Sequence, residues 1–106
     1  MTTQLHASRV LTGIIRRAEE AGLPRLSWSV YPYDGAALDA QPWGGDDEAR
    51  TIVMAAWGDH LGVKAKTQRY DDYTAIKIAA EVDGVPVRIF THVDKAANYG
   101  QRGGAK

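Results

Sequence analysis

The dipeptide Asp83-Gly84 separates two segments in which apolar and polar residues alternate, and it sets how those segments pair. Asp-Gly is typical of the two-residue turn of a β-hairpin, because both turn positions adopt positive φ angles. With this loop Ile78 opposes Ile89, so the apolar side chains of both segments share one face. The sequence therefore predicts a hairpin of residues 73–82 and 85–93 with one buried face.

Two other segments have the spacing of amphipathic helices. The first covers residues 3–21, and it ends where Gly22 favours a left-handed turn and Pro24 prevents continuation. The second begins at Asp46 or Asp47, whose carboxylates can accept hydrogen bonds from the first backbone N–H groups. The expected core residues are Ala7, Val10, Leu11, Ile14 and Ala18 in the first helix and Ile52, Val53, Ala56, Trp57 and Leu61 in the second.

Two more strands complete the predicted architecture. Residues 25–33 and 63–70 have strand character, whereas residues 34–45 are rich in Gly, Ala and Asp and are typical of a loop. The element order is then α-β-α-β-β-β. We expect one α+β domain over residues 1–94, with a four-stranded, mainly antiparallel sheet and two helices packed on one face. Residues 95–106 show no periodicity, and we expect them to form a flexible C-terminal tail.

Composition limits the kinds of partner and site. Lys plus Arg equals Asp plus Glu at 13 each, so no net field attracts nucleic acid or a membrane. The absence of cysteine excludes disulfides, thiolate nucleophiles and sulfur-ligated zinc. No apolar run reaches the roughly 20 residues of a membrane span, and residues 1–6 do not resemble a secretory signal. We expect a cytoplasmic protein.

No catalytic or cofactor motif is present in the sequence. The three histidines are scattered, and the serines lie outside any G-x-S-x-G turn. The acidic run 46–48 is interpreted as a helix cap rather than as a set of metal ligands. We therefore expect no metal site, no cofactor and no enzymatic activity. An alternative is a small enzyme whose site is assembled only in the fold, for example by His92 with Asp71 or Tyr73.

The other face of the predicted meander combines basic and aromatic side chains. With Asp71-Asp72 as a two-residue turn, Lys66 opposes Lys77, and Lys77 in turn opposes Phe90. Like charges that face each other are destabilising, and an acidic partner or a phosphate would relieve the repulsion. Three interpretations are open: a solvated face, a protein-binding surface, and a surface for single-stranded nucleic acid. The candidate partner-binding residues here are Lys64, Lys66, Tyr70, Tyr73, Lys77, Arg88, Phe90 and His92.

Two further features bear on binding. Trp43, in the predicted loop, is either an anchor for a partner, since Trp is enriched at interface hot spots, or a cover for the open side of the core. Pro32 suggests that the strand before it lies at a sheet edge. This edge strand and the last strand could pair between copies of the chain, which would give a homo-oligomer through sheet edges.

Three segments, RRAEEAGLPRLSWSV, AAWGDHLGV and DGVPVRIF, carry a resemblance. The chain is similar over most of residues 8–93 to small uncharacterised proteins of actinobacteria, their phages and integrated elements. The resemblance implies an accessory factor or an inhibitor that binds a host protein. We therefore expect a small non-enzymatic module that acts by protein–protein interaction. Nucleic-acid binding through the basic and aromatic face is the alternative.

Overall fold

The computed structural model describes residues 3–31 and 36–94. Within them, five strands form one mixed sheet in the order β1-β2-β5-β4-β3, in which β2 and β5 are parallel and all other neighbours are antiparallel. The elements in chain order are α1 (Gln4–Ala21), β1 (Leu26–Tyr31), β2 (Ala37–Pro42), α2 (Asp47–Leu61), β3 (Lys66–Arg69), β4 (Tyr73–Val82) and β5 (Val85–Asp94). The predicted α+β class with two helices is confirmed, and the predicted tail at 95–106 lies outside the described residues.

The predicted number of four strands is wrong, because the segment expected to be a loop contains β2, and the sheet is mixed, with one parallel pair beside three antiparallel ones. In β2, Leu38 and Ala40 are buried, whereas Gln41 is exposed. Ala, Asp and Pro are poor strand formers, so local propensity gave no sign of this strand. Its position between β1 and β5 decides its conformation. The last strand, β5, is therefore central, and the expectation that it pairs between copies is wrong.

The hairpin predicted from Asp83-Gly84 is confirmed in register. Asp83 has a φ angle of 51° and Gly84 one of 80°, as the turn requires. Ile78 pairs with Ile89, and both are fully buried. β3 is shorter than the predicted strand 63–70. The described part of the first strand ends at Tyr31.

Both helices cover the same face of the sheet and share one core with it. The core face of α1 is as predicted, except that Leu11 is only half-buried. The predicted apolar stripe of α2 is confirmed for Trp57, which is buried, and for Val53 and Leu61, which pack against the core; Met54 is buried in addition, whereas Ile52 is 59% exposed. Apolar residues occur on several sides of α2, so their spacing did not decide which side packs inward.

Trp57 connects α2 to the segment between α1 and β1. Its indole Nε1 donates a hydrogen bond to the carbonyl oxygen of Pro24 over 2.9 Å. Its ring meets that of Trp28 edge-on, with 5.8 Å between the ring centroids. A buried Trp is favourable when its N–H finds such an acceptor. This contact holds the N-terminal part of the chain against the second helix.

Each helix contains an interior glycine, and the two glycines have different surroundings. A glycine inside a helix costs about 1 kcal/mol relative to Ala, so the sequence suggests at Gly13 a close approach by another element. That expectation is wrong, since a Cβ at Gly13 would meet only the Arg17 guanidinium of its own helix, at 3.4 Å. The close approach occurs at Gly58, where a Cβ would lie 2.9 Å from the backbone oxygen of Val63.

We expect Gly58→Ala to lower the free energy of unfolding by about 1–3 kcal/mol, because the backbone at Val63 must move. Gly13→Ala is the matched control and should raise it by up to about 1 kcal/mol, since only a flexible side chain has to adjust. Urea denaturation followed by circular dichroism measures both. A stabilising Gly58→Ala would contradict the close approach.

Candidate partner-binding face

We call the side of the sheet that neither helix covers the outer face. Alternate residues of β5 are exposed there, while the residues between them are buried in the core. The register of β3, β4 and β5 decides which candidate residues share the outer face. Those that the strands bring together are Lys66, Tyr73, Lys77, Arg88, Phe90 and His92.

Three candidate residues lie outside the paired strands. Lys64 precedes β3 and is exposed, whereas Tyr70 follows β3 and reaches the outer face by stacking on Tyr73, with 4.8 Å between ring centroids. Trp43 follows β2 and is 77% exposed, so the interpretation that it covers the core is wrong. An exposed indole at this position, beyond the end of β2, is available to a partner.

Lys66 and Lys77 face each other directly across β3 and β4, as the sequence predicts. The two-residue turn that sets this register is closed by a 2.8 Å hydrogen bond from the backbone N–H of Tyr70 to the backbone oxygen of Tyr73. Within residues 3–31 and 36–94, neither lysine forms an ion pair. The repulsion between two ammonium groups is thus not compensated by a carboxylate of the described chain.

Aromatic rings continue the outer face beside the lysines. Tyr73 stacks on Tyr70 and meets the His92 ring edge-on, with 5.4 Å between the centroids. Phe90 lies directly opposite Lys77 and remains 39% exposed. These rings leave apolar surface next to uncompensated positive charge, a combination that suits a partner with both acidic and apolar groups.

Arg88 differs from the lysines because its charge is paired. Its Nε donates to Asp39 Oδ1 over 2.8 Å, from β5 to the neighbouring strand β2. Asp39 is also its direct neighbour in the strand register. The sequence gives no sign of this ion pair, because the composition of residues 34–45, which include Asp39, predicts a loop. Arg88 is consequently less available to a partner than Lys66 or Lys77.

An acidic cleft adjoins the outer face at the start of α2. Asp46 caps the helix by accepting a 2.8 Å hydrogen bond from the Ala49 N–H, which agrees with the predicted cap. Asp47 accepts a 2.9 Å hydrogen bond from the Asp94 N–H at the end of β5 and therefore also fixes the helix to the sheet. The residues lining the cleft are Asp46, Asp47, Glu48, Arg50, Asp72, Tyr73, His92 and Asp94.

Arg50 is a residue of this cleft that sequence reasoning did not single out. Its guanidinium lies 3.7 Å from Asp47 and donates a 3.3 Å hydrogen bond to the backbone oxygen of His92. It sits one helical turn after the acidic cap, so the salt bridge could have been inferred from the sequence, but not the contact with β5. Among the described residues, no group of three or more His, Asp or Glu side chains is arranged to hold a metal ion.

The structure bears on the enzyme alternative through His92. Its ring lies beside the ring of Tyr73 in the acidic cleft. Of the two aspartates in the turn between β3 and β4, Asp72 lines the cleft, whereas the sequence suggested Asp71. In the part of the chain that the structure describes, no hydrogen bond joins the imidazole to a carboxylate.

Comparison of the chain with protein-family models, curated proteins and solved structures found no match. The resemblance to proteins of actinobacteria and their phages stays a prediction. Neither of the described helices combines the length and the apolar character that crossing a membrane requires.

We expect Lys66→Glu or Lys77→Glu to stabilise the fold by up to about 1 kcal/mol at low salt, because each turns a like-charge pair into an opposite-charge pair. The double variant restores like charges and should return to near the wild-type stability. Urea denaturation of all four proteins gives the coupling free energy between the two positions. Additive effects of the single variants would contradict the direct opposition of the side chains.

Proposed function

We propose that this chain is a small binding module without catalytic activity, and that it binds a partner protein through the outer face. The observation that carries the proposal is the pair Lys66 and Lys77, which face each other without an ion-pairing partner in the described chain. An acidic group placed between the two ammonium groups would be favoured twice, once by each charge. Binding would thereby relieve a repulsion that the free protein contains.

The aromatic residues add contact area to this charged centre. Phe90 and Tyr73 are exposed by 39% and 38%. Phe90 lies directly opposite Lys77, and Tyr73 lines the same depression as these two residues. Aromatic side chains are enriched in the centres of protein interfaces, where their burial contributes most of the binding free energy. The proposed partner therefore presents a segment with acidic and apolar residues.

The acidic cleft favours a protein over a nucleic acid as the partner. Tyr73 and His92 line both the cleft and the depression around Phe90, so carboxylates border the aromatic part of the outer face. A nucleic acid carries a negative charge at every nucleotide and would meet these carboxylates as it extends along the face. A protein surface of mixed charge can complement both the lysines and the acidic border.

One observation supports single-stranded nucleic acid as a second candidate. The stacked rings of Tyr70 and Tyr73, beside His92 and Lys77, resemble platforms on which bases stack. Binding of this kind would weaken steeply with salt, with a slope of about −0.7 per phosphate contacted. Fluorescence anisotropy with labelled oligo-dT and oligo-rU over a salt series tests it, and no binding at low salt excludes it.

The main proposal is tested with two charge-reversal variants on opposite sides of the protein. Lys66→Glu/Lys77→Glu changes the outer face, and Arg9→Glu/Arg16→Glu introduces the same charge change on exposed positions of α1. We expect a partner to be recovered from host lysate by wild type and by the α1 variant, and recovery to fall about tenfold or more with the outer-face variant. Quantitative mass spectrometry of the captured proteins measures this.

Equal recovery of the same proteins by all three baits would contradict the proposal. Because the two introduced carboxylates repel each other as the lysines do, the outer-face variant should unfold at a urea concentration close to that of wild type. A lost partner is then attributable to the face and not to the fold.

For the biological role, we propose that the module acts in the cytoplasm as a phage or mobile-element accessory factor or inhibitor.

A further inference from the structure

The two edges of the sheet differ in their protection against pairing with another strand. β3 is a short edge of four exposed residues, of which Lys66 and Arg69 are charged. β1, at the opposite edge, has six residues and no charged side chain. Edge strands are normally protected by charges, by their shortness, by prolines or by bulges. β3 has such protection, whereas β1 from Leu26 to Val30 has none.

The core is also incompletely closed along β1. Leu26, Trp28 and Val30 point toward the helices but are only half-buried, whereas the inward residues of β5 are buried throughout. A groove with mainly apolar lining residues lies between the end of α1 and β1. Its lining residues are Ile15, Ala18, Glu19, Leu23, Pro24, Arg25, Leu26, Trp28 and Trp57. A strand added at this edge would bring side chains next to the open part of the core.

We propose that two copies of this chain pair antiparallel through β1 about a two-fold axis. The strand is complementary to itself. With Ser29 on the axis, Trp28 of one copy lies opposite Val30 of the second copy, on the side of the helices. With Trp28 on the axis, Leu26 lies opposite Val30, and Ser27 lies opposite Ser29. Both registers match apolar with apolar side chains and place no like charges together.

The absence of charge in β1 disfavours a strongly charged strand as the occupant, and the self-complementary registers favour a second copy. A partner strand rich in acidic or basic residues would find no opposite charge on Leu26, Ser27, Trp28, Ser29 or Val30. Pairing joins two five-stranded sheets into one of ten strands, because β1 is the outermost strand of each. The two outer faces then lie side by side, and a partner with two binding segments would gain affinity through multivalency. Dimerisation itself does not depend on the binding proposed for that face.

Sedimentation velocity of the full chain over a concentration series tests the inference. We expect a monomer–dimer equilibrium between 11.6 kDa and twice that mass. Ser29 is exposed, so Ser29→Lys should leave the fold intact. Ser27→Lys/Ser29→Lys places like charges opposite each other in either register and should raise the dissociation constant about tenfold or more.

The matched control for the single variant Ser29→Lys is Gln68→Lys, which also adds one positive charge, to an exposed residue of the other edge strand, and should leave the dissociation constant unchanged. Hydrogen exchange supplies a second readout, since amide protection in residues 26–30 should increase with protein concentration and stay constant in β3. A chain that remains monomeric at all concentrations would overturn the proposal. So would a dimer that responds to Gln68→Lys as strongly as to the β1 variants.

Discussion

β5 is the strand on which the other elements depend. It pairs with β4 on one side and with β2 on the other, and its residues alternate strictly between burial and exposure from Val85 to Asp94. The buried positions form the floor against which α2 packs, and they share one hydrophobic core with α1, which packs on β1 and β2. The exposed positions carry Arg88, Phe90 and His92. One alternating strand therefore builds the core and positions the candidate site at the same time.

The parts of the fold that local signals determine could be predicted from the sequence. The Asp83-Gly84 turn set the register of the hairpin, and Gly22 and Pro24 marked the end of α1. β2 could not be predicted, because Ala, Asp and Pro argue against a strand and only pairing with β1 and β5 holds it. The inward side of α2 was predicted in part: Trp57 is buried and Val53 and Leu61 pack against the core, whereas Ile52 is exposed and Met54 was missed.

The same distinction applies to the candidate site. The opposition of Lys66 and Lys77 could be predicted by counting residues on both sides of the two-residue turn, because the strands and the turn follow one another in the sequence. The pairing of Arg88 with Asp39 did not follow, because it joins residues 49 positions apart through an unpredicted strand. The acidic cleft likewise needed the packing of α2 against the end of β5. The charged side chains that face each other within a hairpin can be predicted from the local sequence, whereas ion pairs between distant segments cannot.

The parallel contact between β2 and β5 has a consequence for the order of folding. The strands of the hairpin are joined by a turn and can meet quickly, whereas β2 reaches β5 only after a long loop has closed. Among the described residues, the β2–β5 ladder joins the segment α1-β1-β2 to the remaining sheet, and the Trp57–Pro24 hydrogen bond and the contact of His6 Nε2 with the backbone oxygen of Asp83 support it. The N-terminal half should then behave as a separate cooperative unit, which attaches last and opens first.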